Sequence, residues 1–117
     1  MPDELFPSPD AKLSRKRREL APDTAAAFAT FSKLVFADGA LPVRTKQLIA
    51  VAVAHVTQCP YCIRGHTKGA IRAGASEAEV MEAIWVAAEM RAGATYAHSI
   101  LALSEMERVE GSKSKPA

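Results

Sequence analysis

Pro60 constrains the fold of this chain more than any other single residue. It stands in "LIAVAVAHVTQCPYCIRGHTKGA", between an alanine- and valine-rich apolar run and a second segment of helical composition. Inside a continuing helix a proline removes a backbone donor and clashes with the preceding turn; in the first turn of a new helix it is well accommodated. The chain is therefore expected to break near Cys59, restart at Pro60 and run to about Ala73, where Gly74 closes the helix. The same punctuation organises the rest. Residues 11 to 20 read as a short charged helix. Asp23 or Thr24 is placed to cap a second helix that Gly39 ends, with Phe28, Phe31, Leu34 and Val35 on one apolar face. Pro42 suits the first turn of a third; its alanines favour helix, while Val51, Val53 and Val56 weaken that preference. Ser76 and Glu79 form a capping box ahead of "EAEVMEAIWVAAEM", where Val80, Ile84, Val86 and Ala87 are available for packing. "RAGA" predicts a break near Gly93, and a last helix spans roughly Thr95 to Glu107.

No segment alternates as a strand should. The expected fold is all-α, one helical bundle of five to six helices over residues 11–109, after a proline-rich arm at 1–10 and before a polar tail at 110–117. Many of the helices are rich in alanine. Small side chains allow close packing but bury little area each, so a chain of 117 residues built this way is expected to draw on partner subunits for part of its core.

Composition narrows the function. Fifteen basic against 13 acidic residues leave a net charge of +2, too near zero to imply nucleic acid. The basic cluster "KLSRKRREL" reads as a solvated helix face, with no other nucleic-acid motif beside it. The longest apolar run, "LIAVAVA", is too short to cross a bilayer, and "MPDELFPSPD" has no apolar signal region. A cytoplasmic location is the expectation. In that setting a Cys-x-x-Cys pair is more often redox-active, catalytic or metal-binding than a structural staple.

The chain's two cysteines, Cys59 and Cys62, form such a pair, and His66 follows four residues after the second. With a helix starting at Pro60, Cys59 falls at its N-cap and Cys62 in its first turn. Both thiols then sit near unpaired backbone N–H groups at the positive end of the helix dipole, which favours thiolate over thiol. His66 shares a face with Cys62 one turn on, where it could take the thiol proton or stabilise the thiolate. The spacing also lets the two sulfurs reach bonding distance. These are the parts of a dithiol that attacks, is oxidised and closes to a disulfide. Two other readings remain. The cysteines could be buried core residues. Alternatively, Cys59, Cys62 and His66 could ligate zinc with His55 or His98, although no second Cys-x-x-Cys exists. The helix-start argument does not say which cysteine attacks; by analogy with thioredoxin-like sites it slightly favours Cys59.

The residues from about 40 to 104, and above all "CPYCIRGHTKGAIRAGASEAEV", resemble the alkylhydroperoxidase D-like, or carboxymuconolactone decarboxylase, family. The resemblance implies an all-helical fold, usually assembled as a homotrimer or homohexamer. It further implies the branch that carries paired cysteines. In that branch the later cysteine attacks a hydroperoxide, the earlier one resolves it, and an external dithiol reductant resets the pair. Carried over, Cys62 is the peroxidatic thiol, Cys59 the resolving thiol and His66 part of the proton relay, with no metal or organic cofactor. The family pattern places a glutamate twelve residues before the first cysteine as the relay's base; this chain has Gln47 there. Glutamine orients a partner but takes up no proton near neutral pH. Glu89 and His55 are the candidates to support the relay in its place, and His98 is a third. Trp85 and Tyr61 could wall the pocket, with core or interface packing the more usual role of such rings.

Overall fold

The computed structural model describes residues 5–8 and 10–114. It contains five helices: α1 (Ala11–Glu19), α2 (Pro22–Phe36), α3 (Val43–Thr57), α4 (Pro60–Arg72) and α5 (Glu77–Ser114). No strand occurs among the described residues, so the all-α expectation holds. The expected arm at 1–10 and tail at 110–117 fall partly outside them.

α3 and α4 form the central hairpin. Gln58 ends α3 in the left-handed conformation, at φ 58° and ψ 47°. That turn brings the Cys59 N–H back onto the Ala54 carbonyl at 3.1 Å. Cys59 is then the N-cap of α4 and Pro60 its first residue. The two helices run antiparallel, because Gln47 near the start of α3 meets His66 and Gly69 in the second half of α4. Gly74, at φ +98°, turns the chain after α4. The capping box then starts α5: Ser76 N–H donates to Glu79 Oε1 at 2.8 Å, and Glu79 N–H to Ser76 Oγ at 3.1 Å.

α5 lies along α3 in the same direction. Arg44, near the start of α3, pairs with Glu79 at 3.7 Å, and Arg91 donates to the Val56 carbonyl near its end at 2.8 Å. The core sits between α3, α4 and the first turns of α5. Val51, Ala70, Ala75 and Val80 are buried there, with Leu48 and Ile84 packed against them.

Four boundaries differ from the sequence reading. α2 starts from Ala21 without a side-chain cap, because Pro22 at the first helical position moves the start upstream of Asp23 and Thr24. It stops at Phe36 rather than at Gly39. There the Lys46 ammonium binds the carbonyls of Val35 and Ala37 at 2.8 and 2.6 Å, and Asp38 Oδ1 accepts from the Val43 N–H at 2.9 Å to start α3. The largest difference is at Gly93, where no break occurs: α5 is one helix of 38 residues. An interior glycine costs only about 0.5–1 kcal/mol, and the neighbouring Met90, Arg91, Ala92 and Ala94 are good helix formers. The segment read as a polar tail continues this helix as far as Ser114.

A 38-residue helix is about 57 Å long. α3 supports only the part up to Arg91, so the rest projects from the body. The molecule measures 69 × 36 × 34 Å, and its radius of gyration is 21.5 Å, against about 13 Å for a compact chain of this size. No helix among the described residues is long and apolar enough to cross a membrane.

Candidate active site

Cys59 caps α4 with its own sulfur. Its Sγ accepts the Cys62 N–H at 3.2 Å and lies 2.6 Å from Cys62 Sγ. A formed disulfide spans about 2.05 Å; here both cysteines are free thiols, half-buried and already adjacent. These contacts treat the two sulfurs differently. The hydrogen bond from the Cys62 thiol, and next the Cys62 backbone N–H, lower the Cys59 pKa below the ordinary cysteine value. Cys62 is raised: it is the donor in that bond, it is partly desolvated, and it faces the charge that collects on Cys59. Of the two, Cys59 is therefore the sulfur that gives up its proton more readily, and Cys62 the one that holds it.

His66 is held from two sides. Its Nδ1 lies 2.9 Å from Gln47 Oε1. An amide oxygen only accepts, so Nδ1 carries a proton and donates it to Gln47. The ring stacks on Phe36 with centroids 5.0 Å apart and planes 21° from parallel. Gln47 reaches the ring only because position 69 is glycine: a Cβ there would lie 2.6 Å from Gln47 Oε1.

Cys62 and His66 open onto one cavity of about 360 Å³. One stripe of α3 forms its floor: Lys46, Ile49, Ala50, Val53, Ala54 and Thr57. Val35 and Phe36 at the end of α2 close one side. The lining is apolar apart from Lys46, Thr57, Cys62 and His66. A site of this kind can hold a small apolar molecule against a thiol with an imidazole beside it.

The structure thus gathers Cys59, Cys62, His66 and Gln47. It does not gather the others within one chain. Glu89 is on the exposed side of α5, with Oε1 lying over Gly93. His55 turns Nδ1 to the Val51 carbonyl at 2.8 Å and does not line the cavity. His98 is exposed on the projecting part of α5. Trp85 is exposed, and Tyr61 packs edge-on against Phe6 at 6.2 Å. Among the described residues, no group of three or more His, Cys, Asp or Glu side chains is arranged to hold a metal ion. Phe36, Lys46 and Gly69 belong to the site although the sequence did not single them out. Their one sequence signal is position: Lys46 lies one turn before Ile49 and Ala50 on the same face, and Gly69 lies one turn after His66.

The profile of the carboxymuconolactone decarboxylase family matches residues 22–105. The chain belongs to this family. A Paracoccus denitrificans protein named uncharacterized protein 4 in cox locus is 68% identical over 85 residues, which is 73% of this chain and 77% of that protein. Among solved structures, a Legionella pneumophila protein of the carboxymuconolactone decarboxylase family aligns at TM-score 0.65 and 31% identity, covering 83% of this chain and 87% of that one. A Methanobacterium thermoautotrophicum protein aligns at TM-score 0.67 and 37% identity, over 71% of this chain and 93% of that one. As a member of the family carrying both cysteines, this chain places them where α4 begins, beneath the cavity that α2 and α3 complete.

Proposed function

We propose that the chain is a dithiol-dependent hydroperoxide reductase. The observation that carries this reading is the convergence of Cys62 and His66 on one apolar cavity, with the Cys59 sulfur 2.6 Å behind Cys62. Cys62 gives its proton to His66 Nε2 and attacks the terminal peroxide oxygen. The O–O bond breaks, and the alkoxide takes the proton from His66 and leaves as an alcohol. Cys62 is then a sulfenic acid. The Cys59 thiolate attacks that sulfur, an S–S bond forms, and hydroxide leaves to be protonated to water. An external dithiol resets the pair by exchange. The balance is one hydroperoxide and one dithiol to one alcohol, one water and one disulfide. Three or six copies, as the family resemblance implies, would shield the apolar faces that one chain leaves open.

The test uses cumene hydroperoxide and dithiothreitol with a sulfenic-acid trap. Cys59→Ser is expected to stop turnover and accumulate the trapped adduct at Cys62, and Cys62→Ser to leave no adduct. Full turnover in Cys62→Ser sinks the reading.

A second reading is favoured by the lowered pKa of Cys59: a thiol–disulfide oxidoreductase in which Cys59 attacks a disulfide and peroxide is a poor substrate. Fast exchange with a disulfide probe at Cys59, together with slow peroxide consumption, would select it.

A further inference from the structure

Lys46 has no role in the thiol chemistry, yet it is the one cation lining the cavity. Its ammonium is fixed in place. Two of its three N–H bonds go to the carbonyls of Val35 and Ala37, at 2.8 and 2.6 Å. Those carbonyls belong to the end of α2, whose partial negative charge offsets only part of a full positive one. No carboxylate pairs with Lys46 among the described residues, and its third N–H has no partner there. A half-buried cation without a counter-charge, at the rim of an apolar cavity, is a ready site for an anion. Cys62 and His66 line the same cavity, and Ile49, Ala50 and Val53, one to two turns beyond Lys46 on α3, offer an apolar body contact but no polar group. Hydrogen peroxide would leave most of about 360 Å³ empty and would not need Lys46.

We propose that the cavity selects organic hydroperoxides that carry a carboxylate, with Lys46 binding the carboxylate and the apolar stripe of α3 holding the carbon skeleton so that the peroxide end faces Cys62. This rests on the hydroperoxide reductase reading and names the substrate class of that site. The redox balance is unchanged: the carboxylate takes no part, and the product is the corresponding hydroxy acid with one water.

The experiment compares 4-carboxycumene hydroperoxide with its methyl ester, and a linoleic acid hydroperoxide with its methyl ester, using the full-length chain and dithiothreitol. The acids are expected to exceed the esters in kcat/KM by about ten-fold or more, mainly through KM, the order of one charge-assisted hydrogen bond. That acid-to-ester ratio should shrink with added salt, fall toward one in Lys46→Met, and persist in Lys46→Arg. The wild-type ratio decides the matter by itself, so a poorly folded Lys46→Met does not obscure it. Equal turnover of acid and ester overturns the carboxylate assignment and leaves the reductase reading in place. A ratio that Lys46→Met does not change overturns Lys46 as its source. Inertness toward all four compounds and toward cumene hydroperoxide overturns both readings.

Discussion

Gln47 meets His66 through an amide that neither gains nor loses a proton near neutral pH. The 2.9 Å bond orients the ring with Nδ1 toward the amide oxygen, and in the proposed reaction Nε2 then handles the proton with no carboxylate on the other side of the ring. Gln47→Glu keeps the contact and adds a charge. It is expected to speed hydroperoxide reduction, by up to about 10²-fold on the low side of general-base effects, and to move the pH–rate profile; an unaltered profile would mean that another group already serves. Gly69→Ala should act in the opposite direction. Its new methyl would displace the flexible end of Gln47 at small cost to stability, and the pH–rate profile would show the loss of the held tautomer. The sulfurs give a second prediction. Because Cys59 is lowered and Cys62 raised, alkylation of Cys59 should set in at a lower pH than alkylation of Cys62. Peptide mapping after iodoacetamide treatment across a pH series reads this order directly. Substituting Cys62 by Ala removes the main cause of the lowering, so the Cys59 onset should move to higher pH.

The α4–α5 junction is where an element's boundary depends on one reciprocal cap. Ser76→Ala removes the oxygen that accepts from the Glu79 N–H and should destabilise the fold by about 1 kcal/mol. The Glu79 carboxyl is lowered, first by the Ser76 backbone N–H. A lowered carboxyl contributes stability above its unfolded pKa and loses it as pH falls through the folded one. The contribution is therefore complete at neutral pH and disappears at the acid end of the carboxylate range. Denaturant titrations of wild type and Glu79→Gln should differ at pH 7 and converge as the pH falls to that acid end; a constant difference would refute the linkage. At α5 itself, the misplaced break at Gly93 shows that a glycine is a weak signal when strong helix formers flank it. The N-terminal signals at Pro60 and Ser76 are strong because each satisfies or excludes a particular backbone donor.

The whole chain exposes 9575 Å², more than half as much again as the roughly 6,200 Å² of a compact monomer of this mass. The surplus is on the order of 3,000 Å², within the range of obligate interfaces. Much of it is apolar: Phe28, Phe31 and Leu34 on α2, and Ile100, Leu101, Leu103 and Met106 on the projecting part of α5, are each more than half exposed. These are the side chains that the proposed assembly would cover. Light scattering is expected to give a multiple of 12.5 kDa, three or six on the family resemblance. Ile100→Glu with Leu103→Glu should lower that mass and the thermal midpoint together; a wild-type monomer would remove the assembly from the proposal.

The sequence alone was enough for the all-helical class, the restart at Pro60, the Cys59 N-cap, the capping box and the shared face of α4 from which Cys62 and His66 reach one cavity. All of these are local: each depends on donors, acceptors or helical faces within one or two turns. Tertiary structure decided what lies far apart in sequence. It put Gln47 on His66 across nineteen residues, laid Phe36 on the same ring, left Glu89, His55 and His98 out of the cavity, and set Lys46 at its rim. It also set the two cysteines apart, Cys59 capping α4 with a lowered pKa and Cys62 facing the cavity with a raised one. Spacing along a helix fixes which side chains share a face; it does not say which neighbouring helix that face will meet.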